Sequence, residues 1–229
     1  MMRGMIFTSS CAGCHRPGPV LCRTCRLVLA APPAMPTGGD VIAAVPFVGR
    51  PREVLLNFKY GNRRQLGHHL AGLVVNRVLA SGVRPDDIDV VTWAPTSASR
   101  RHRRGFDQAE LVARRVALQL GVPCRRLLRR DGAAPPQTGL DRATRLHGPA
   151  FTASPAAHGR RVLVVDDVVT TGSTLRSAAR ALDLAGAAGV IKAAVATTPA
   201  LVTRGRAATP RARRRPIDRG TVVPGPWAA

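Results

Sequence analysis

Aromatic residues, lysines and long apolar runs are scarce in this chain of 229 residues. Aromatics make up only 3% of the sequence, so the core must consist mainly of valine, leucine and alanine side chains. The only lysines are Lys59 and Lys192, and neither follows the glycine pattern of a Walker-type phosphate loop. No run reaches the roughly 18 apolar residues that a membrane-spanning helix requires, so we expect no membrane span.

We also expect no secretory signal, because residues 1–10 are short and lack an apolar stretch before the first cysteine. We therefore expect a cytoplasmic protein. In that compartment, cysteines serve as metal ligands or free thiols more often than as disulfides.

Basic residues greatly outnumber acidic ones. The sequence has 35 Lys and Arg against 13 Asp and Glu, for a formal net charge of +22. Such a charge favours anionic partners such as phosphates or nucleic acid. The hydrophobic fraction of 45% is ordinary for a globular protein, and the length suits one α/β domain with small appendages.

Four cysteines occur as two CxxC pairs separated by seven residues. Each pair turns tightly enough to direct both sulfurs at one ion, and four thiolates complete a tetrahedral zinc site without an open position. The alternatives are unrelated thiols or a redox-active CxxC motif. The regular spacing favours a structural Zn²⁺ site at Cys11, Cys14, Cys22 and Cys25.

Composition divides the chain into four parts. Residues 1–30 form the predicted zinc-binding module, and residues 31–40, rich in proline and glycine, are typical of a linker. Residues 41–199 combine strand patterns with amphipathic helix patterns, which predicts an α/β domain. Residues 200–229 carry seven arginines against one acid and are predicted to be a disordered basic tail.

Hydrophobic periodicity predicts the elements of the α/β domain. Strands are predicted at residues 41–48, 89–93, 122–128, 162–165 and 189–198. Helices are predicted at residues 52–60, 65–79, 109–120, 137–146 and 175–187.

The most informative stretch is VLVVDDVVTTGSTL, residues 162–175. Its apolar start predicts a buried strand that ends at two carboxylates, Asp166 and Asp167, which can accept bonds from sugar hydroxyls or hold a hydrated Mg²⁺ ion. A hydroxyl-rich turn and the start of a helix follow. Backbone N–H groups and hydroxyls at such a helix N-terminus can hold a phosphate. The residues of this turn are Thr170, Thr171, Gly172, Ser173 and Thr174.

A second strand, DVVTW at residues 89–93, also ends in a small hydroxyl-bearing loop, residues 94–99. The arginine-rich run 100–104 comes next. A loop of solvated arginines is the alternative interpretation, but the position of the run between this loop and a helix favours contact with an anion. Phe106 is a single aromatic among the arginines, which is too few for a base-stacking platform.

Two other protein classes share the VLVVDD pattern. A response-regulator receiver needs about a hundred further residues and a later phospho-acceptor aspartate, whereas only about sixty residues remain here. A Walker B strand needs the lysine-containing phosphate loop that this sequence lacks.

The pattern resembles the thirteen-residue phosphoribosyl pyrophosphate (PRPP) signature of type I phosphoribosyltransferases. The wider chain is similar to the ComF family of phosphoribosyltransferase-like proteins, which are tied to competence and DNA uptake. Besides the four cysteines and the signature, the resemblance rests on three segments. They are a KY-G segment (Lys59, Tyr60, Gly61), an RRGF[N]QAE segment (residues 103–110) and a Q-x-x-L-x4-R segment (Gln137, Leu140, Arg145).

The resemblance implies a type I phosphoribosyltransferase fold, which is a doubly wound parallel sheet, and PRPP as the donor substrate. Asp166 and Asp167 would bind the ribose hydroxyls directly or through Mg²⁺, and the turn 170–174 would hold the 5-phosphate. The departing pyrophosphate would be held by Pro95, Thr96, Ser97, Arg100, Arg103 and Arg104.

Two positions depart from the family pattern. Asp107 replaces the usual asparagine, and the stretch 146–151 lacks another asparagine and is shortened. Three functions stay open. The first is an active phosphoribosyltransferase on a nitrogenous acceptor. The second is a PRPP-binding protein without transfer chemistry, which acts as a regulator or as an accessory that works with competence or DNA-uptake proteins. The third is a module that binds nucleic acid such as single-stranded DNA, in which the sheet is only a scaffold.

Overall fold

The computed structural model describes residues 9–31, 40–131 and 149–198. Its α-helices and strands follow in chain order: α1 (Arg23–Ala30), β1 (Val41–Pro46), α2 (Gly49–Tyr60), α3 (Leu66–Ala80), β2 (Val90–Trp93), α4 (Ala98–Arg104), α5 (Gln108–Leu120), β3 (Leu128–Arg130), β4 (Phe151–Ala153), β5 (Arg161–Val169), α6 (Ser173–Leu184) and β6 (Gly189–Thr197).

The central sheet consists of four parallel strands in the order β1-β6-β5-β2. Its central strands are rich in valine and alanine, because a parallel sheet is covered on both faces and its strands must be apolar on both sides. The parallel sheet predicted from the sequence is therefore confirmed.

Helices cover both faces of this sheet. α3 and α5 pack on one face, where Val74, Val116 and Leu163 are fully buried. α6 packs on the other face against Val164, and β3 pairs with β4 in a short antiparallel ladder beside it. This arrangement confirms the doubly wound fold of the type I phosphoribosyltransferases.

Helix α5 owes its bounds to the residues at its ends. The side chain of Asp107 accepts hydrogen bonds from the backbone N–H groups of Ala109 at 3.1 Å and Glu110 at 3.3 Å. Gly121 follows the helix with a φ of 72°, a left-handed conformation that favours glycine. The sequence prediction of residues 109–120 is therefore confirmed to within one residue.

The strand that carries the acidic pair is longer than the sequence predicts. β5 continues through both aspartates to Val169, whereas the sequence predicts its end at residue 165. β2 does end beside Val165, but β6 continues and pairs Asp166 with Ala194. A strand extends for as long as a neighbour offers backbone hydrogen bonds. The end of β5 is therefore determined by its pairing with β6, and the polar side chains of the two aspartates do not end it.

Two further segments differ from the sequence prediction. The arginine-rich run 100–104, for which no helix is predicted, belongs to α4, since the Ser97 hydroxyl accepts a hydrogen bond from the N–H of Arg100 at 3.4 Å and caps the helix. The strand expected at 122–128 is reduced to one parallel bridge between Cys124 and Val91, and regular pairing begins only with β3.

The cysteine segment packs against α2. Cys11, Ala12 and Cys25 are buried in the same hydrophobic cluster as Val54 and Phe58 of that helix. The N-terminal segment and the helices on this face of the sheet therefore share one core.

Three sequence predictions fall outside the described residues. They are the linker apart from its end residues, the helix at 137–146 with the Q-x-x-L-x4-R segment, and the basic tail at 200–229. Within the described ranges, every helix is too short or too polar to cross a bilayer.

Candidate functional site

Two loops meet at the carboxyl edge of the sheet, where β2 and β5 lie side by side. The backbone N–H of Ala94 donates to the carbonyl of Val165 at 3.1 Å. The loop after β2 therefore starts next to Asp166 and Asp167 of β5. Open α/β sheets bind their ligands at such an edge, beyond the carboxyl ends of the strands.

The two carboxyl groups of the acidic pair have different surroundings. Oδ2 of Asp167 lies 3.0 Å from Nζ of Lys59, at the end of α2. Oδ1 of Asp166 accepts a hydrogen bond from the backbone N–H of Asp167 at 2.7 Å. Burial, together with the charge of Asp167, raises the pKa of Asp166 to about 8. Sequence reasoning missed Lys59 as a site residue, although the KY-G segment was the available signal.

The hydroxyl-rich turn 170–174 lies between β5 and α6, at the N-terminus of the helix. Thr170 and Thr171 are exposed, whereas Ser173 and Thr174 are half-buried in the first turn of α6. The hydroxyl of Thr171 donates to that of Ser173 at 3.0 Å. The turn thus gathers hydroxyl groups and helix N–H groups in one place, which is the chemistry of a phosphate site.

Gly172 is required by the shape of this turn. Its φ of 75° is left-handed, and a Cβ at this position would lie 2.8 Å from Nη1 of Arg176. The same nitrogen donates to the carbonyl of Thr171 at 2.8 Å, which holds the turn against the first turn of α6. Any larger residue would strain the left-handed backbone and displace the guanidinium of Arg176.

The second loop is held by Asp107. The backbone N–H of Thr96 donates to Oδ2 of Asp107 at 2.9 Å, while Oδ1 caps α5. Pro95 of this loop is buried, and Ser97 begins the cap of α4. Burial raises the pKa of Asp107, although the N–H groups bound to it act in the opposite direction. The departure from asparagine thus supplies a second acceptor oxygen, which ties the loop to α5.

The predicted arginines differ in their contacts. Arg100 and Arg103 are exposed on α4. Arg104 is half-buried and donates from Nη1 to Oε1 of Gln108 at 3.0 Å and from Nη2 to the hydroxyl of Tyr60 at 3.1 Å. Arg104 therefore joins α4 to α2 and α5, whereas Arg100 and Arg103 are open to solvent.

A cavity of about 410 Å³ lies beside the second loop. Asp107 and Glu110 line it together with Arg126 and Arg130, two arginines outside the arginine-rich run 100–104. Burial lowers the pKa of Arg130, as does the charge of Arg100, while Asp166 raises it. Arg130 is therefore a half-buried cation on the wall of this cavity. Sequence reasoning missed Arg130, because its position follows from β3 and no local pattern marks it.

Aromatic and arginine side chains meet where α2 approaches α4. Phe106 lies edge-on to Phe58 with ring centres 5.8 Å apart, and the guanidinium of Arg64 lies 4.8 Å from the centre of the Phe106 ring. Tyr60, which is 63% exposed, lies 5.0 Å from the guanidinium of Arg104. The fold therefore places a second aromatic, Tyr60, beside Arg104 of α4, and an exposed aromatic ring can stack on a planar ring.

The four cysteines form a compact cluster. Their Sγ atoms all lie within 4.8 Å of one another, and those of Cys14 and Cys22 are 3.7 Å apart. Sulfurs on one tetrahedral zinc ion are separated by about 3.8 Å. Although burial opposes ionisation, the N–H groups of Cys22 and Gly13 that donate to Cys11 help to lower the pKa of its thiol to about 6. The cluster can therefore hold a metal ion.

The carboxyl edge as a whole combines two carboxylates, a lysine, a phosphate-type turn and several guanidinium groups. Carboxylates accept hydrogen bonds from hydroxyl groups, while helix N–H groups and guanidinium groups bind phosphates. The arrangement suits a ligand that carries both hydroxyl groups and phosphate groups.

Comparison with known proteins gives a consistent result. The model of the phosphoribosyl transferase domain family matches residues 104–218. DNA utilization protein YhgH of Salmonella typhimurium is 32% identical over 201 residues, which cover 80% of this chain and 86% of that protein. Competence protein ComFC of Bacillus subtilis is 34% identical over 104 residues, 44% of this chain and 41% of that protein. A crystal structure of adenine phosphoribosyltransferase aligns with a TM-score of 0.41 at 18% identity, over 68% of this chain and 81% of that one.

Proposed function

The chain belongs to the phosphoribosyltransferase domain family, with relatives of the ComF type, and on that premise we propose that it binds PRPP at the carboxyl edge of its sheet. We further propose that it transfers the phosphoribosyl group to a nitrogenous acceptor and releases pyrophosphate. One observation carries the proposal: Trp93 pairs with Val165, directly before Asp166, so that the second loop, the acidic pair and the hydroxyl-rich turn share one edge.

The ribose and its 5-phosphate would occupy β5 and the turn after it. Asp166 and Asp167 would accept hydrogen bonds from the ribose 2- and 3-hydroxyls, directly or through Mg²⁺. The carboxylate oxygens suit Mg²⁺, which when bound would neutralise charge on the pyrophosphate. The turn 170–174 would hold the 5-phosphate through its hydroxyls and through the N–H groups of α6.

The pyrophosphate would lie against the second loop, Pro95, Thr96 and Ser97. In this superfamily C1 of the ribose gains oxocarbenium character as pyrophosphate departs, so cations next to the leaving group lower the barrier. Arg100 and Arg103 are exposed after this loop, and Arg130 lines the adjacent cavity. Both terminal nitrogens of Arg104 are already engaged, so we assign it a positioning role.

The cysteine cluster would hold a structural Zn²⁺ ion. Four thiolates fill its tetrahedral coordination, which leaves no position for a substrate or a reactive water. The ion would therefore stabilise the N-terminal segment and take no part in transfer.

Calorimetric titration with PRPP and Mg²⁺ tests the donor site. We expect the unaltered chain to bind, and Asp167→Asn to bind at least tenfold more weakly, since a hydrogen bond to a charged group contributes about 1.5–3 kcal/mol. Asp183→Asn, an exposed carboxylate on α6, serves as the matched control and should bind as the unaltered chain does. Equal affinity in all three proteins, or no binding by the unaltered chain, would exclude the proposal.

Transfer is measured separately, as pyrophosphate released from PRPP across a panel of nitrogenous bases. Release that requires one of these bases supports the enzyme. Binding of PRPP without release in the presence of any base would instead favour a non-catalytic PRPP-binding protein.

A second function, binding of single-stranded DNA in DNA uptake, is favoured by the aromatic surface around Tyr60. Arg64 lies over the Phe106 ring and Arg104 beside Tyr60, and two of the relatives are named for DNA utilization and competence. The affinity for a single-stranded oligonucleotide should fall with salt, with a slope of about −0.7 per phosphate contacted. Tyr60→Ala should cost about 1–3 kcal/mol of binding if a base stacks there. An affinity that salt does not change would exclude this function.

A further inference from the structure

Helix α2 makes contacts with two parts of the molecule that the proposed function treats separately. At its C-terminal end, Nζ of Lys59 lies 3.0 Å from Oδ2 of Asp167. The side chains of Lys59 and Asp167 are 13% and 14% exposed, so this ion pair is largely shielded from water and salt. A shielded pair depends strongly on geometry, because each partner has lost most of its hydration. The position of α2 therefore controls the charge at the acidic pair.

The first CxxC loop contacts the same helix through polar groups. Nη1 of Arg50, in the first turn of α2, donates to the carbonyl of Gly13 at 2.6 Å. Nδ2 of Asn57, in its last turn, donates to the carbonyl of Ala12 at 3.0 Å. These two bonds attach the loop along the length of α2, from its start to the turn that carries Lys59.

Apolar packing strengthens this attachment. Cys11 and Ala12 are fully buried in one cluster with Val54 of α2. A Cβ on Gly13 would lie 2.9 Å from Sγ of Cys25 and 3.3 Å from Cγ2 of Val54. The loop therefore has no free space between the cysteine cluster and α2. Close-packed groups move together, so a change in the geometry of the cluster is transmitted to the helix.

We infer that the cysteine cluster positions Lys59, so that metal binding at Cys11, Cys14, Cys22 and Cys25 is thermodynamically coupled to PRPP binding at the acidic pair. The inference rests on the proposed PRPP site. PRPP is strongly anionic and is repelled by the carboxylate of Asp167, and the ammonium of Lys59 offsets this charge only while α2 holds it against Asp167. A metal ion that orders the first CxxC loop also orders α2. Metal and PRPP therefore strengthen each other's binding, and Lys59 is the positioning residue between them.

Reciprocal titrations of the full chain test this coupling. The affinity for Zn²⁺ is measured by competition with a zinc-selective chelator, with and without saturating PRPP and Mg²⁺. We expect PRPP to raise the zinc affinity by at least about fivefold, at the lower end of common couplings between sites. Linkage requires the zinc-loaded chain to bind PRPP more tightly than the zinc-free chain by the same factor.

A matched pair of variants distinguishes a specific contribution of Lys59 to the coupling from a general effect of positive charge on α2. Lys59→Met keeps an unbranched side chain but removes the ammonium, so it should weaken PRPP binding and bring the effect of PRPP on zinc affinity close to onefold. Arg52→Met removes an exposed cation from the same helix, whose Nη1 lies 3.1 Å from Oε1 of the neighbouring, partly exposed Glu53. Arg52→Met should retain the full coupling.

The outcomes discriminate between the inference and its premise. A zinc affinity that PRPP does not change, or a coupling that persists in Lys59→Met, overturns the inference while the PRPP site stands. If the zinc-free chain unfolds, its PRPP affinity cannot be compared with that of the zinc-loaded chain. The chelator competition starts from the zinc-loaded chain, so the comparison of the unaltered chain with Lys59→Met in that assay then tests the inference. A chain that binds no PRPP in either metal state removes the proposed function, and the inference with it.

Discussion

At the scale of single residues, Asp166 and Asp167 differ although they are neighbours in β5. Asp167 contacts the ammonium of Lys59, whereas Asp166 accepts a backbone N–H. Burial and the charge of Asp167 raise the pKa of Asp166 to about 8. Below that pH Asp166 is largely protonated, so the empty site carries less negative charge than two aspartates suggest. This division of roles is typical of functional sites.

Replacing Asp166 by asparagine is expected to stabilise the folded protein at alkaline pH. Since the pKa of Asp166 is higher in the folded chain than in the unfolded one, its contribution to stability is full below about pH 4 and is lost as the pH rises through about 8. Asparagine does not ionise, and its oxygen can still accept the N–H of Asp167. Asp166→Asn should gain about 0.5–2 kcal/mol in free energy of unfolding at about pH 9 and none at about pH 4.

Urea unfolding at these two pH values measures the effect of Asp166→Asn. At about pH 9, where Asp166 is ionised in the unaltered chain, the same variant should bind PRPP at least tenfold more weakly, because it lacks the charged acceptor for the ribose hydroxyls. A stability difference that is independent of pH would show that the ionisation of Asp166 is not its cause.

Asp107→Asn restores the residue that is usual in the ComF family and tests how the second loop is held. The amide oxygen can keep the cap of α5, but the NH₂ group then meets the N–H of Thr96, so that hydrogen bond is lost. We expect a loss of about 0.5–1.5 kcal/mol in the free energy of unfolding and weaker PRPP binding. Asp86→Asn, whose side chain is 88% exposed, should leave both quantities unchanged. Equal effects of the two substitutions would contradict the role of Asp107 in holding the second loop.

At the scale of elements, the ends and contacts of a helix or strand depend on its neighbours. The extension of β5 by β6 keeps the acidic pair in regular strand geometry beyond the end of β2. On the face of α3 and α5, Gly67 permits a close approach, because a Cβ there would lie 3.2 Å from Cγ of Leu111. The N-cap of α5 is Asp107, which also holds the second loop. The packing of α5 against α3 therefore affects the position of that loop at the site.

Gly67→Val should destabilise the protein by about 1–3 kcal/mol, since the added methyl groups must displace Leu111 in a packed contact. Gly72→Val is the matched control on the same helix. A Cβ at Gly72 would lie 3.6 Å from Oε1 of Gln119, an ordinary contact with a flexible side chain, and we expect a change within about 0.5 kcal/mol. Urea unfolding of the two variants gives the comparison, and equal losses would refute a close contact at Gly67.

At the scale of the whole molecule, the cysteine segment and the sheet share one hydrophobic core. Cys11, Leu21 and Leu29 belong to the cluster that includes Val54, and Arg63 donates to the hydroxyl of Ser10 at 2.9 Å. Unfolding of the N-terminal segment would therefore expose apolar surface of α2 as well as the buried cysteines of the segment itself. Stability and metal binding are expected to be properties of the molecule as a unit.

Cys14→Ser removes one metal ligand at a half-buried position and so disturbs the core little. If the metal contributes about 3 kcal/mol, the midpoint of thermal unfolding should fall by about 6–12 °C. Because the core is shared, we expect one cooperative transition in calorimetry. Two separate transitions, with the larger one unmoved, would mean that the cysteine segment folds independently.

The sequence by itself determined the features that depend on short-range pattern. The CxxC spacing indicated the cysteine cluster, and alternating strand and helix patterns indicated a parallel sheet with α2, α3, α5 and α6 near their observed bounds. The hydroxyl-rich turn with Gly172 was recognisable for the same reason. Each of these depends on residues a few positions apart, whose geometry the backbone constrains directly.

Only the tertiary structure decided which distant groups meet. It set Lys59 against Asp167, joined Thr96 to Asp107, extended β5 along β6 and brought Tyr60 to Arg104. It also made Asp166 half-buried, which changes its pKa and therefore its charge. No local pattern contains this information, because the charge of a carboxyl group and the end of a strand depend on neighbours that packing supplies from elsewhere in the chain.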